Sequence, residues 1–241
     1  MSVILILLCL STVLYLDYQN KQSLSNQKYT QKISPTPTPC YLLPAIVNPV
    51  SNHIKQLHNS YNTNTKRWPI VNQQLVSNTI EHGGIQIHIT DSNYYTNDRI
   101  NLLIRAIDIA PQILLNNRPQ SIYLVTIETL NYSSEKALAE KYDGFTNGSN
   151  IYLFPHLFEY NNQSYISDIL FHEWGHIIQY YQPKLLSDYL DAIGDDQGQT
   201  DYGKTKPQED LSESISAYLT NQKCLISNSR VKWVEKFIGC N

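Results

Sequence analysis

The sequence predicts an α+β domain, with a small sheet and a mostly helical C-terminal half, preceded by a single N-terminal hydrophobic segment. Three observations carry that reading. Strand-like and helix-like spacings of apolar residues alternate as far as Phe154. Beyond it the spacing is helical almost to the end, the order of an α+β chain. Residues 2–16 (SVILILLCLSTVLYL) carry no charge and stand apart from both patterns. The 241 residues fit one ordinary domain plus extra chain, and 41% hydrophobic content is enough for a sizeable core. A net charge of -3 with 16% charged residues excludes a strongly basic nucleic-acid binder. Four Cys without CxxC spacing make neither a disulfide scaffold nor a structural zinc site.

The fifteen residues 2–16 make a helix of about 22 Å, short of the roughly 30 Å hydrocarbon core. That length suits a signal h-region or a short membrane anchor. No A-x-A-like site follows, and Leu8 before Cys9 suits lipidation poorly, so an uncleaved anchor is expected, with secretion after cleavage as the alternative. Lys21, Lys28 and Lys32 follow the segment and favour a cytoplasmic body by the positive-inside rule. The polar stretch that closes with SPTPTP at residues 34–39 favours the opposite, a tethered domain displayed outside the cytoplasm. The second layout is the one expected here. Residues 1–16 then form the anchor, 17–43 the Pro/Thr-rich linker and 44–241 the domain. Cys40, Cys224 and Cys240 lie beyond the tether and could include one disulfide or remain buried thiols.

Within the domain, Val47, Val50, Ile54, Leu57 and Tyr61 have helical spacing. Val71, Leu75 and Ile80 suggest a second helix, stopped by Gly83-Gly84. Ile85, Ile87 and Ile89 alternate with polar residues, a half-buried strand. Residues 97–115 read as a helix kinked at Pro111, and the β-branched residues 121–129 as a central strand. A short helix near residues 134–142 precedes DGFTNGSN (residues 143–150), which has turn chemistry and leads into a strand at 151–154.

The next helix contains His172-Glu173-Trp174-Gly175-His176, an HExxH. Residues four apart share one helix face, so His172 and His176 can hold one metal ion through their imidazoles. Glu173 turns aside by about 100° and can reach a water at the metal rather than the metal itself. The flanking Ile166, Ile169, Leu170, Ile177 and Ile178 make this an apolar central helix. A catalytic zinc needs a third protein ligand and an open position. A His six residues after the second is ruled out, because Gln182 stands there. Asp201, beside Tyr202-Gly203, is one remaining scheme. A Glu on a later helix is the other, and Glu209 fits it best. Thr205 and Gln208 form a capping box for that helix, with Pro207 in its first turn. Glu213, four residues after Glu209, could accept the free N–H of a ligating His.

The segments FHEWGHIIQYY and DYGKTKPQEDLSESISAYL resemble the gluzincin metallopeptidases, most closely the catalytic-domain family of anthrax toxin lethal factor. In that family an HExxH helix precedes a motif close to Tyr-Ala-x-Thr-Asn-x-x-Glu-Asp-Phe-Ala-Glu. Tyr202 and Thr205 fall on its Tyr and Thr, Glu209 on its ligand Glu and Glu213 on its second Glu. The resemblance implies a zincin-like fold, one zinc ion, hydrolysis of a peptide or protein substrate, and Tyr202 as hydrogen-bond donor to the oxyanion. Lys206, Leu211 and Ser212 depart from the motif, and the match covers residues 166–219, under a quarter of the chain. The expected function is a monomeric, membrane-tethered zinc metallopeptidase with Glu173 as general base. The alternative is a zinc-binding, non-catalytic module, and the presence of Glu173 argues against it. His156 reads as structural, and His53, His58, His82 and His88 have no partner spacing.

Overall fold

A computed structural model describes residues 75–239 apart from 131–135, 138, 141 and 197–199. The anchor, the linker, the start of the domain at residue 44 and the helix expected at Val47 to Tyr61 lie outside the described residues, as do Cys40 and Cys240. Of the helix expected at 134–142, residues 134, 135, 138 and 141 lie outside as well, and residues 136, 137 and 139 are helical. The described part is α+β: a five-stranded mixed sheet with seven helices among the described residues. No helix there is long and apolar enough to cross a membrane.

Strands β1 (Asn78–His82) and β2 (Ile85–Ile89) form an antiparallel hairpin. The helix expected from Val71, Leu75 and Ile80 is therefore corrected: Ile80 lies in a strand, Leu75 precedes it, and Val71 lies outside the described residues. Gly83 and Gly84 have φ of +59° and +73°, the backbone of a two-residue hairpin turn rather than of a helix stop. Strand β2 is as expected, with Ile85, Ile87 and Ile89 buried.

Helix α1 (Asn97–Asp108) buries Ile100, Leu103 and Ile107. Pro111 breaks the helix instead of kinking it, and the short α2 (Gln112–Asn116) begins after it. Strand β3 (Ser121–Leu124) is the central strand but ends early. Threonine hydroxyls take over its backbone: Thr90 Oγ1 accepts from Thr126 N at 3.2 Å, and Thr129 Oγ1 donates to Thr126 O at 2.7 Å.

Strands β4 (Gly144–Asn147) and β5 (Asn150–Leu153) form a second hairpin, closed at Gly148. The turn expected at residues 143–150 thus shrinks to its middle. The sheet order is β1-β2-β3-β5-β4, so β5 is paired on both sides and the edges are β1 and β4.

One face of the sheet carries rows of apolar residues, such as Ile87, Ile122 and Ile151 in mutual register. Against it packs α4 (Gln163–Tyr181), through Leu170, Trp174 and Ile177. Its start is set by Asn162, whose side chain accepts from the N–H groups of Ser164 and Tyr165. A short α3 (His156–Glu159) precedes it, and α5 (Leu185–Ile193), α6 (Pro207–Leu219) and α7 (Asn228–Ile238) complete the helical half. Helix α6 has Pro207 in its first turn as expected, but the capping box is absent. Its N-cap is Lys206, and Thr205 Oγ1 donates instead to Tyr202 O at 2.6 Å.

Helices α4 and α6 cross in close contact at Gly175. A Cβ placed there would lie 2.8 Å from Ser212 Oγ and 2.9 Å from Ser212 Cα, and the second atom is backbone that cannot swing away. Gly175→Ala should therefore cost about 1–3 kcal/mol of stability by overpacking. Denaturant unfolding measures this; an unchanged midpoint would mean that the helices have slack at the crossing.

Candidate metal centre

His172 and His176 project from the same face of α4, and Glu209 from the first turn of α6. Their donor atoms converge. The two Nε2 atoms are 3.2 Å apart, and Glu209 Oε2 lies 3.2 Å from that of His172 and 3.0 Å from that of His176. Among the described residues this is the group of His, Cys, Asp and Glu able to hold a metal ion. Tetrahedral ligands about 2.0–2.1 Å from zinc are separated by about 3.3–3.4 Å, close to the observed triangle. Two imidazole nitrogens and one carboxylate oxygen suit zinc, with one position left open on such a centre. The donor set alone does not select zinc over other divalent metals.

The same crowding sets the protonation of the metal-free site. Burial disfavours charge on His172, but its hydrogen bond to Glu209 and the charges of Glu173, Glu209 and Glu213 outweigh that and push it up to about 9. Burial would raise Glu209, yet the hydrogen bonds and charges of His172 and His176 hold its carboxyl well below the usual range.

Glu173 is buried next to the triangle and is not one of its corners. It faces β4: Thr146 Oγ1 donates to its Oε2 at 2.6 Å, and Gly144 leaves room for its side chain. Tyr202 is hydrogen-bonded to Glu209, with its ring 5.7 Å from that of His172. Burial, together with the charges of Glu209 and Glu173, raises its phenol far above the ordinary value, so it remains a donor.

Glu213 takes a different place from the expected one. Its carboxylate accepts from the Thr200 hydroxyl and not from a histidine, because it faces the turn that precedes α6. Burial raises its carboxyl. The partner of His176 is Ser212, with Oγ 3.2 Å from Nδ1; Gln179 Nε2 donates to the same hydroxyl at 3.0 Å. With Nε2 turned into the triangle, Nδ1 is left to hydrogen-bond with Ser212. Asp168, one turn before His172, accepts from Ser216 Oγ at 2.5 Å, and burial raises it. Sequence reasoning missed Thr146, Ser212 and Asp168 as neighbours of the site. Only the helical offset of Ser212 from Glu209 and of Asp168 from His172 could have suggested the last two.

Asp201 is exposed and pairs with Lys204 at 3.7 Å, outside the triangle. His82 meets Asp108 at 2.6 Å, His88 stacks on Tyr123, and His156 meets Asp143 at 2.8 Å, all away from the three donors. Comparisons of the chain with models of protein families, with curated proteins and with solved structures found no match.

Metal uptake needs a bare Nε2 on His172, whose proton is held up to about pH 9 in the metal-free protein. Zinc binding at pH 7.5 should therefore release about one proton from His172, and affinity should fall about tenfold per pH unit below that value. Calorimetry in buffers of different ionisation enthalpy measures the release. Zinc uptake with no proton released would mean that His172 is already neutral.

Proposed function

We propose that this chain is a zinc metallopeptidase of the gluzincin type, acting on a peptide or protein substrate. The observation that supports it most is the convergence of His172, His176 and Glu209 beside a fourth side chain, Glu173, that stays off the triangle. A zinc ion held there would lower the pKa of a water and polarise the scissile carbonyl. Glu173 takes the proton of the attacking water and passes it to the leaving amine. Thr146 holds its Oε2, which leaves Oε1 for that transfer. Tyr202 keeps its phenolic proton and donates it as a hydrogen bond to the developing oxyanion.

An extended substrate would pair with an edge of the sheet. Strand β5 is paired on both sides, so an extended peptide adds to β4, the strand against which Glu173 rests. In this reading residues 1–16 tether the peptidase to a membrane and the domain lies outside the cytoplasm. No nucleic acid takes part, and the peptidase acts as a monomer.

The test is cleavage of a mixed peptide library by the full chain, with and without a zinc chelator. Glu173→Gln should keep zinc stoichiometry and lose several orders of magnitude in rate, since water activation and proton transfer fail together. Tyr202→Phe should also keep zinc and lose about a hundredfold to a thousandfold. Zinc-loaded wild type that cleaves nothing would favour the non-catalytic binding module. An active Glu173→Gln would sink the mechanism.

A further inference from the structure

We propose that Arg230, on the C-terminal helix α7, is a positioning residue for Glu209, acting through Asp210 from the far side of α6. The proposal rests on the reading of His172, His176 and Glu209 as a metal centre. It starts from the neighbours of Glu209 in sequence. Consecutive helical residues point about 100° apart, so Glu209 turns to α4 while Asp210 turns towards α5 and α7.

What Asp210 meets there is a closed polar cluster. Arg230 is fully buried, and its Nη2 donates to Asp210 Oδ2 at 2.8 Å. Its Nε lies 3.2 Å from both carboxylate oxygens. Tyr189, buried on α5, donates to Oδ2 at 2.7 Å, and Ser214 Oγ donates to the Asp210 carbonyl at 2.7 Å. The rest of the guanidinium is engaged as well. Nη1 donates to Ser227 Oγ at 3.0 Å and meets Asp196 Oδ2 at 2.6 Å, and Nη2 donates to Asp196 O at 3.0 Å. A fork held in three directions has one orientation, and α7 itself is fixed in the core by Trp233 and Val234.

The start of α6 makes this contact matter for the metal. Its N-cap, Lys206, makes no side-chain cap hydrogen bond. The rotation of the first turn is thus held from opposite sides by two adjacent carboxylates, Glu209 on the histidines and Asp210 on Arg230. Without Arg230, Asp210 is a buried charge lacking its counter-ion. The first turn then rotates to bring Asp210 towards solvent, and Glu209 moves off the triangle with it.

The experiment measures zinc affinity of the full chain by competition with a chromogenic chelator, at a temperature where each variant is folded. It adds the visible spectrum of the cobalt-substituted protein. Arg230→Met should weaken zinc binding by on the order of tenfold or more and shift the cobalt spectrum towards that of Glu209→Gln. Val234→Ala, a cavity in the same helix, should lower stability and leave both readouts unchanged. Should Arg230→Met fail to fold, Asp210→Asn decides, with a smaller shift in the same direction. Wild-type affinity and spectrum in these variants, alongside a weakened Glu209→Gln, would overturn the positioning role and leave the metal centre standing. A wild type that binds neither zinc nor cobalt, or a Glu209→Gln that binds as wild type, would instead overturn the metal centre itself.

Discussion

Helix α6 reaches the two histidines because nothing larger than hydrogen stands at position 175. The crossing of α4 and α6 at Gly175 and Ser212 sets how near Glu209 comes to His172 and His176. It also puts the Ser212 hydroxyl within reach of His176 Nδ1. A methyl group at the crossing would push against backbone, and the donor triangle would widen with the helices. Both helices are fixed from behind: α4 by the apolar rows of the sheet, α6 by Leu211 and Ile215 in the same core. Core packing therefore positions the polar site directly.

The electrostatics follow from that closeness. Glu173, Glu209 and Asp210 are all buried on these two helices, an arrangement that is costly unless cations answer it. Arg230 answers Asp210, and the histidines answer Glu209 in the metal-free protein. The His172–Glu209 pair has a bounded window. His172, raised to about 9, contributes stability fully below its ordinary 6.5 and loses it as pH rises through 9. Glu209, depressed, contributes above its ordinary 4.5 and loses it as pH falls below that. The proton-held pair is strongest between these ordinary values, and a divalent ion would take over its role at higher pH.

Much of this was legible from local pattern. Two histidines one turn apart need no tertiary information, and the apolar flanks identify α4 as a core helix. Glu209 was favoured over Asp201 by its place on a helix, and the two side chains do part in that way. Local pattern failed where pairing decides the outcome. The Gly83-Gly84 pair reads equally as a helix stop or a hairpin, and only the partner strand β2 distinguishes them. The polar GFTN of β4 looks like a turn until β5 supplies its register. Thr146, Ser212 and Arg230 act across distances in sequence of 20 to 36 residues, to which no spacing rule extends. Glu213 shows the same limit: it shares a helix with Glu209 at a spacing of four, yet its carboxylate lies by the turn before α6 and accepts from Thr200.

In the proposed centre, two imidazoles and one carboxylate would hold a single zinc ion. X-ray absorption at the zinc edge of the loaded full chain tests it most directly. The expected result is a first shell of nitrogen and oxygen at about 2.0–2.2 Å, two imidazole signatures, and no sulfur. Replacing Glu209 by Gln should alter the oxygen shell and leave both imidazoles in place. A sulfur ligand, a single imidazole, or a protein that retains no zinc would rule out a centre built from His172, His176 and Glu209.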